Sequence, residues 1–310
     1  MSKTIVPGGV IPPRLERFFE TAKERQIIYI QKTLGMRRPW TMDSQFNTWF
    51  FCNVFRQLDK VTVWIKENII DAYPDEQDLW AKIILARRLS RIESMEAVRK
   101  VGGYIDFERG KKALEYMKAV GLPIITNAFI MGIPDPSLGD NKLDYMFNLI
   151  DYYREQGIEA FLETKPNIEK TTKWLRRAPN MAGFLSYEVA SDFTYSRYLK
   201  DANDRYSWAN PGPGAKRGLS VIRTGFPDME KMNDDDAIEL MEMIFLVWKD
   251  YIKEHLDDWM AEACRRVGTL NSDFAKSAMS MFNRLTIREV EHWLCEFDKH
   301  ERIGRNKRRY

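Results

Sequence analysis

Apolar residues recur at the spacing of helical turns in ten segments of this chain, and this pattern constrains the fold more than any other feature. The clearest segment is 45–70, where steps of four, four, four, three and four separate these residues: Phe46, Phe50, Val54, Leu58, Val61 and Ile65. Such a stripe predicts one long helix with a buried face. The same spacing predicts helices at 14–34, 77–90, 107–120, 142–156, 168–177, 182–199, 234–253, 272–285 and 287–300. The sequence therefore predicts a mostly α, compact multi-helix fold, in which a β-like run at 122–131 fits a buried helix equally well.

The composition limits the class of protein. Apolar side chains make up 44% and aromatic side chains 13% of the 310 residues, which suffices for a sizeable core and is too much for a disordered chain. No stretch has the roughly 20 uncharged apolar residues of a membrane span, and the first residues lack a secretory apolar block. The three cysteines stand far apart without a CxxC pair, which argues against disulfides and structural zinc. We expect a soluble, cytoplasmic protein without membrane contact.

A turn-rich segment at 207–219 carries the most chemical information. Two prolines and two glycines at 211–214 cannot lie inside a helix, so a hairpin is predicted there. If a helix begins after it, the backbone N–H groups of residues 214–216 are unpaired and point outward as anion donors. Glycine lets a phosphate approach the backbone, and the neighbouring cations add positive charge. The predicted phosphate-binding residues of this hairpin are Asn210, Gly212, Gly214, Lys216 and Arg217.

The hairpin and its flanks resemble the helix-hairpin-helix element of the DNA glycosylase superfamily. The resemblance implies a sequence-independent grip on a nucleic-acid backbone. The position of the catalytic lysine in that superfamily is Gly218 here, which argues against a lyase mechanism. The catalytic aspartate of those enzymes falls near Asn233, where three aspartates follow at 234–236. Capping of a helix N-terminus explains the same acids.

A polar edge is predicted beside the apolar stripe of segment 45–70. At 100° per residue, Asn53, Arg56 and Lys60 fall within about 60° of one another on a helix. Arginine supplies a two-pronged donor and asparagine a donor and acceptor pair, so Asn53 and Arg56 are candidates for phosphate or base recognition. A solvated face in which Arg56 pairs with Asp59 is the alternative.

Two carboxylates lie close together in the otherwise apolar segment 184–192. Glu188 and Asp192 are one turn apart on the predicted helix, where like charges repel each other. Either a cation bridges them, or they handle protons or an amine, or a partner such as Arg197 or Lys173 lies elsewhere in the fold. Glu188 and Asp192 are the candidate catalytic residues.

Near the C-terminus, His292 precedes Cys295 by one turn of a predicted helix. A Cys–His nucleophile pair would use this spacing. A core cysteine is the favoured interpretation, because cysteine commonly packs as a small apolar side chain. No residues in the sequence have metal-ligand spacing, so no metal site is predicted.

Four sequence blocks occur together in a fixed order: FCNVFRQLDK at 51–60, GFLSYE at 183–188 followed by Asp192, NPGPGAKRGL at 210–219 and EHWLCEFDK at 291–299. In combination they resemble the amino acid:DNA transferase family, also described as α-glutamyl/putrescinyl thymine pyrophosphorylases and related to the helical domain beside 5-hydroxymethyluracil DNA kinases. The resemblance spans about residues 40–300. It implies a bacteriophage enzyme of thymidine hypermodification, located in the host cytoplasm.

In that pathway, a kinase pyrophosphorylates 5-hydroxymethyluracil in DNA, and the transferase replaces the pyrophosphate with an amino acid or a polyamine. The phosphate-binding signature of the kinase, GxxxxGK[ST], does not occur in this sequence, so the chain is expected to be the transferase alone. The expected partners are DNA containing modified thymine, the amine co-substrate and a pathway kinase. Mg²⁺ is a candidate cofactor because it binds diphosphates, although no dedicated ligand set is visible.

The resemblance implies roles for the candidate residues. Asp192 or Glu188 is the expected base that removes a proton from the amine. The hairpin amides, Lys216, Arg217 and Arg56 are expected to hold the DNA backbone or the departing diphosphate. The target base is expected to leave the duplex and to stack on an aromatic side chain. The candidates for this stacking are Phe184, Tyr187 and Trp208.

The predicted organisation follows from the absence of repeats and long linkers, which favours one compact body. We expect an N-terminal helical arm at 1–40, a helical catalytic domain at 41–300 that contains the hairpin at 207–219, and a basic tail at 301–310. The net charge is only +3, but residues 302–310 hold five Lys and Arg and no acid. Such a tail suits a phosphate backbone, and a solvated terminus explains it equally well.

Two other functions stay open at this point. A DNA glycosylase would use one of the aspartates at 234–236 to cleave the bond between a modified base and its sugar. A non-catalytic helical module would bind DNA and recruit the kinase.

Overall fold

The computed structural model describes residues 11–126, 135–227, 231–269 and 272–306, and all regular structure in these ranges is helical. The predicted mostly α fold is confirmed. The α-helices of these ranges are, in chain order, α1 (Pro13–Thr33), α2 (Ser44–Thr48), α3 (Lys60–Ile65), α4 (Leu79–Leu89), α5 (Ile92–Lys100), α6 (Phe107–Ala119), α7 (Lys142–Glu155), α8 (Ile158–Glu163), α9 (Ile168–Leu175), α10 (Gly183–Phe193), α11 (Pro213–Thr224), α12 (Asp234–Arg266), α13 (Asp273–Ser280) and α14 (Ile287–Asn306). Short 3₁₀ segments lie at Arg56–Leu58 and Met281–Arg284, and a π-helical turn lies at Lys66–Ile70. None of these helices combines the length and the apolar character needed to cross a bilayer.

Most of the helices that the apolar periodicity predicts are present, with ends that differ by a few residues. The segment 234–253 continues to Arg266 in α12, whereas the segment 182–199 is helical only to Phe193 in α10. The short helix α8 has six residues, too few for an apolar stripe to become visible. The β-like run at 122–131 has no regular structure up to Thr126, and the rest of it lies outside the described residues.

The prediction of one helix over 45–70 is wrong. An irregular stretch at 49–55 separates α2 from the 3₁₀ turn, and α3 begins only at Lys60. Phe50, a member of the predicted stripe, is 75% exposed, so these apolar residues do not share one buried face. Tertiary bonds hold the backbone here instead: Arg25 donates to the carbonyl of Phe51 at 3.1 Å and to Oδ1 of Asn53 at 2.7 Å.

Backbone contacts divide the chain into two compact units. The first unit comprises Met1–Leu58 and Arg205–Tyr310, and the second unit comprises Asp59–Asp204. This division differs from the predicted arm, domain and tail. Helix α1, which the prediction places in an arm, buries Leu15, Phe18 and Phe19 completely within the first unit.

The core of the first unit is an aromatic cluster where α1, α12 and α14 meet. The ring of Phe18 lies edge-on to Trp248 and to Phe297, with centroid distances of 5.1 and 5.4 Å. Phe19 stacks on Trp248 at 5.4 Å. Aromatic pairs of this kind add about 0.5–1.5 kcal/mol to the burial of their surface. These three helices therefore form the core of the first unit, and α11 packs on one of them, α14.

Helix α4 is the central element of the second unit, because all eleven of its residues are buried. Helices α3, α5, α7 and α10 pack against it. Its buried residues include three cations, Lys82, Arg87 and Arg88. Arg88 lies over the ring of Tyr145 at 5.2 Å, and burial lowers the pKa of its guanidinium below the usual value. Burying a cation costs folding free energy unless an acid or an aromatic face compensates its charge. The partners of Arg87 are therefore important for the stability of the second unit.

Candidate functional site

Glu188 and Asp192, the predicted catalytic carboxylates, lie one turn apart on α10, and both are partners of Arg87 on α4. Arg87 Nε donates to Asp192 Oδ2 at 2.5 Å, and Arg87 Nη2 donates to Asp192 Oδ1 at 2.7 Å. The same Nη2 donates to Thr62 Oγ1 at 3.0 Å, and Nη1 lies 3.9 Å from Glu188 Oε2. Arg87 is therefore the cation that relieves the repulsion between the two acids.

The sequence pattern does not identify Arg87 as this partner. Arg197 donates to the backbone carbonyl of Glu76 at 2.6 Å, and Lys173 pairs with Glu169 at 2.7 Å, so both predicted partners are engaged elsewhere. Arg87 and Asp192 are 105 residues apart in the chain. The signal that could have found the pair is a charge inside the apolar run of α4, because a buried cation requires a nearby acid.

The two carboxylates differ in what a substrate can reach. The side chain of Asp192 is 0% exposed and both of its oxygens accept hydrogen bonds from Arg87. The side chain of Glu188 is 12% exposed, and its contact with Arg87 is long. Glu188 is therefore the more accessible of the two carboxylates. Arg87 and Asp192 form a buried ion pair next to it.

Aromatic residues predicted to stack on a base have different exposures. Phe184 lies one turn before Glu188 on α10 and is 49% exposed. Tyr187 is buried in the core. Trp208 and Asn210 are half-buried in the turn before α11, in the first unit. The structure thus brings Phe184 and Glu188 together on one helix.

The predicted hairpin at 207–219 is a turn that leads directly into α11. Gly212 is the N-cap of this helix and Pro213 its first residue, a position that proline favours because it has no N–H group to leave unpaired. The N–H group of Lys216 donates to the carbonyl of Gly212 at 3.0 Å, so the prediction that it is unpaired and points outward is wrong. Helix α11 begins at Pro213, inside the predicted hairpin and two residues earlier than that prediction requires.

The glycines of α11 allow it to approach α14 closely. A Cβ on Gly214 would lie 2.9 Å from Sγ of Cys295, and a Cβ on Gly218 would lie 2.3 Å from the carbonyl oxygen of Leu294. A Cβ on Gly212 would meet its nearest atom only at 3.8 Å, an ordinary contact. The packing of α14 therefore explains why glycine is needed at 214 and 218. Gly212 has an open side, because a Cβ there would fit without a close contact.

Lys216 and Arg217 both pair with acids of the first unit. Lys216 Nζ lies 2.6 Å from Asp234 Oδ1, and Arg217 Nε donates to Asp298 Oδ2 at 2.9 Å. Their side chains are 27% and 37% exposed, so a phosphate oxygen can compete with the carboxylates for both cations. Asp234 belongs to the first turn of α12, where Asn233 caps the helix, and this position accounts for the acids at 234–236.

Asn53 and Arg56 do not share a helical edge with Lys60, so that prediction is wrong. Asn53 Nδ2 donates to the carbonyl of Leu58 at 2.9 Å, and its own carbonyl lies 3.1 Å from Nε2 of His292. Arg56 belongs to the 3₁₀ turn and is 7% exposed, while Lys60 begins α3 in the second unit. Both Asn53 and Arg56 are thus held within the framework of the first unit.

Cys295 lies against Gly214, as an ordinary packing residue would. Burial raises the pKa of its thiol well above the usual value, and the thiol donates to Oε1 of Glu291 at 3.7 Å. Because the thiolate is the nucleophilic form, a thiol that stays protonated is a poor nucleophile. The geometry agrees with the favoured interpretation of a core cysteine.

Two exposed aromatic residues lie at a place where the apolar periodicity suggests a buried face. Trp49 is 50% and Phe50 75% exposed. Lys299 on α14 donates to the carbonyl of Phe50, and its Nζ lies 5.9 Å from the centroid of that ring. Aromatic rings beside a cation are typical of surfaces that stack on unpaired bases. No sequence signal separates Phe50 from core residues, because it belongs to the apolar stripe of segment 45–70.

Comparison with known proteins adds a family relationship. A family model described as "5-hmdU DNA kinase, helical domain" matches residues 12–309. The 5-hmdU DNA kinase of Bacillus phage SP10 is 26% identical over an alignment that covers 95% of this chain and 46% of that protein. The chain thus spans less than half the length of this curated relative. No solved structure matches the chain.

Proposed function

Because the chain belongs to the family of the helical domain of 5-hmdU DNA kinases, we propose that it acts in the hypermodification of 5-hydroxymethyluracil in DNA. Its proposed reaction replaces the pyrophosphate of pyrophosphorylated 5-hydroxymethyluracil with an amino acid or a polyamine. The amine nitrogen forms a bond to the exocyclic carbon on C5 of the base, and the C–O bond to the diphosphate breaks, with its electron pair leaving on the diphosphate. One amine proton passes to a carboxylate.

The observation that carries this proposal is the carboxylate pair on α10. An incoming amine must lose a proton to a nearby base, and Glu188 is a carboxylate that keeps part of its surface accessible. Asp192 is the proposed positioning residue, since it holds Arg87 in a bidentate pair beside Glu188. The half-exposed ring of Phe184, one turn away on the same helix, is the proposed platform for the flipped base.

The proposed grip on DNA belongs to the first unit. Lys216 and Arg217 keep partial exposure at the start of α11, next to the open side of Gly212. Positive side chains and the N-terminal turn of a helix both attract phosphate. Asn53, Arg56, Asn210 and Trp208 are proposed to support this contact, and the exposed rings of Trp49 and Phe50 add surfaces on which bases can stack.

The test is a reconstituted reaction on DNA that contains 5-hydroxymethyluracil, with a pathway kinase, ATP and a panel of amines. We expect pyrophosphate release, and a nucleoside whose mass includes the amine. Replacing Glu188 with Gln keeps the shape of the side chain but removes the base, and we expect a rate about a hundredfold lower at saturating amine. Glu169→Gln is the matched control, because Glu169 belongs to the same unit and pairs with the exposed Lys173.

Other outcomes of this reaction distinguish the alternatives. Release of a free base would identify a glycosylase and contradict the transferase. DNA binding without any new nucleoside mass, for every amine in the panel, would identify a non-catalytic module. Full activity of the Glu188→Gln variant would reject Glu188 as the base.

The grip on DNA gives a separate prediction. Changing Lys216 and Arg217 together to Gln should make the slope of log K against log salt less negative by about 1.8. The reason is that each of the two lost phosphate contacts removes about 0.9 of a released counterion. The measurement is a fluorescence-anisotropy titration over a range of salt concentrations. Lys253→Gln removes one exposed charge on α12 and should leave the slope unchanged. Equal slopes in the wild type and the double variant would show that Lys216 and Arg217 of α11 do not contact DNA phosphates.

A further inference from the structure

A pocket of about 300 Å³ lies in the first unit, and its lining residues are not among those assigned to the proposed reaction. It opens between α1, the start of α2, the end of α11 and α14. Its polar lining consists of Arg14, Arg17, Gln45, His300 and Glu301. This volume is at the lower end of the range in which protein pockets hold small molecules. The pocket therefore fits a small ligand rather than a large one.

The lining carries an excess of positive charge. Arg14 makes no hydrogen bond or ion pair with any residue in the described ranges, although its guanidinium lines the pocket. Arg17 Nε donates to Glu301 Oε1 at 2.8 Å. The ring of His300 lies 2.8 Å from Asp43 Oδ2 and 3.4 Å from Glu301 Oε1. Glu301, the acid of the lining, is thus already shared between two cations, and Arg14 stays available to a ligand.

His300 adds to this positive charge. Burial alone would lower the pKa of the imidazole, but hydrogen bonds to Asp43 and Glu301 outweigh it and raise the pKa above the usual value. The same contacts lower the pKa of both carboxylates. Each ring nitrogen thus lies near a carboxylate oxygen, an arrangement that favours the charged imidazolium, in which both nitrogens carry protons.

Two glycines keep the pocket open. A Cβ on Gly304 would lie 2.7 Å from Nε2 of Gln45, and a Cβ on Gly225 would lie 3.1 Å from Nε of Arg14. Gly304 belongs to α14, so alanine fits its backbone, whereas Gly225 has a φ of +87° that disfavours any other residue. Gly304→Ala therefore narrows the pocket without removing any of its charges.

We propose that this pocket binds a phosphate group, with Arg14 as the cation that holds it. A tetrahedral anion offers oxygens to several donors at once, which suits a lining of two guanidinium groups and an amide, and arginine matches phosphate geometry with two parallel donors. The phosphate comes either from a free anion, such as inorganic phosphate or pyrophosphate, or from a phosphodiester of DNA. The inference does not depend on the proposed transferase reaction.

The test is isothermal titration of the full chain with inorganic phosphate and with pyrophosphate, in a buffer without other phosphates. We expect saturable binding of at least one of the two anions at one site per chain. Arg14→Gln should weaken this binding at least tenfold, and Gly304→Ala should weaken it through the pocket shape alone. Lys253→Gln, which removes an equal charge from the exposed surface of α12, should leave it unchanged.

A second arm identifies the source of the phosphate. If a short single-stranded oligonucleotide displaces the bound anion, the site takes a backbone phosphate, and if it does not, the site takes a free anion; both results support the pocket. The proposal is overturned if neither anion binds saturably, if Arg14→Gln and Gly304→Ala bind as the wild type does, or if Lys253→Gln weakens binding as much as Arg14→Gln. Circular dichroism of each variant confirms that these comparisons use folded protein.

Discussion

Replacing Arg87 with Met should lower the free energy of unfolding by about 3–5 kcal/mol, the usual cost of breaking a buried ion pair by removing one partner. The reason is geometric. The Arg87 side chain is 7% and the Asp192 side chain 0% exposed, and two parallel hydrogen bonds of 2.5 and 2.7 Å join them. Without Arg87, the Asp192 carboxylate stays buried, with its main cation gone and Glu188 one turn away on the same helix. Urea denaturation followed by tryptophan fluorescence measures the loss.

Two controls show whether the effect comes from the buried charge. Arg99→Met removes an arginine of the same unit whose ion pair with Glu96 is exposed to solvent, and should cost much less stability than Arg87→Met. The double variant Arg87→Met and Asp192→Leu removes both charges of the buried pair, and should recover most of the lost stability because the fully buried carboxylate is gone together with its cation. If Arg87→Met costs no more than Arg99→Met, the buried pair does not stabilise the second unit.

Replacing Gly218 with Ala should cost about 2–3 kcal/mol of unfolding free energy, although alanine is favoured by about 1 kcal/mol in a helix interior. The new Cβ would lie 2.3 Å from the carbonyl oxygen of Leu294, and that backbone atom cannot move unless α14 moves with it. Helices α11 and α14 must therefore separate. The same urea measurement reports the change, and near-ultraviolet circular dichroism reports the altered packing of Trp293, which lies next to Leu294 on α14.

The other glycines of α11 provide a graded series. At Gly214 the obstacle is the side chain of Cys295 at 2.9 Å, which is less rigid than backbone, so Gly214→Ala should cost less than Gly218→Ala. Gly212→Ala meets nothing closer than 3.8 Å and changes only the N-cap, for an expected cost below about 1 kcal/mol. Equal costs at the three positions would contradict the close approach of the two helices.

Periodicity predicts most helices of this chain because many of them bury one face and expose the other, as α12 does along its length. It fails at 45–70, where apolar residues at helical spacing lie in an irregular stretch that Arg25 holds by hydrogen bonds to Phe51 and Asn53. Such bonds depend on residues distant in the sequence. Periodicity therefore cannot distinguish this stretch from a helix.

The candidate site shows the same limit. The carboxylate pair is visible in the sequence because Glu188 and Asp192 repel each other on an apolar helix, but the identity of their cation is not, since Arg87 comes from another helix. The hairpin is visible through its prolines. The close approach of Gly214 and Gly218 to α14 is not, because glycine in a turn-rich segment fits a phosphate site equally well.

Helix α14 makes contacts on two of its sides. On one flank, His292, Glu296 and Lys299 contact the irregular stretch at 50–53, and on the other, Leu294, Cys295 and Asp298 contact α11. A rotation of α14 about its own axis would therefore change both sets of contacts. In the proposed function, DNA bound at α11 and a base stacked on Trp49 or Phe50 would both act on α14, because this helix contacts both places.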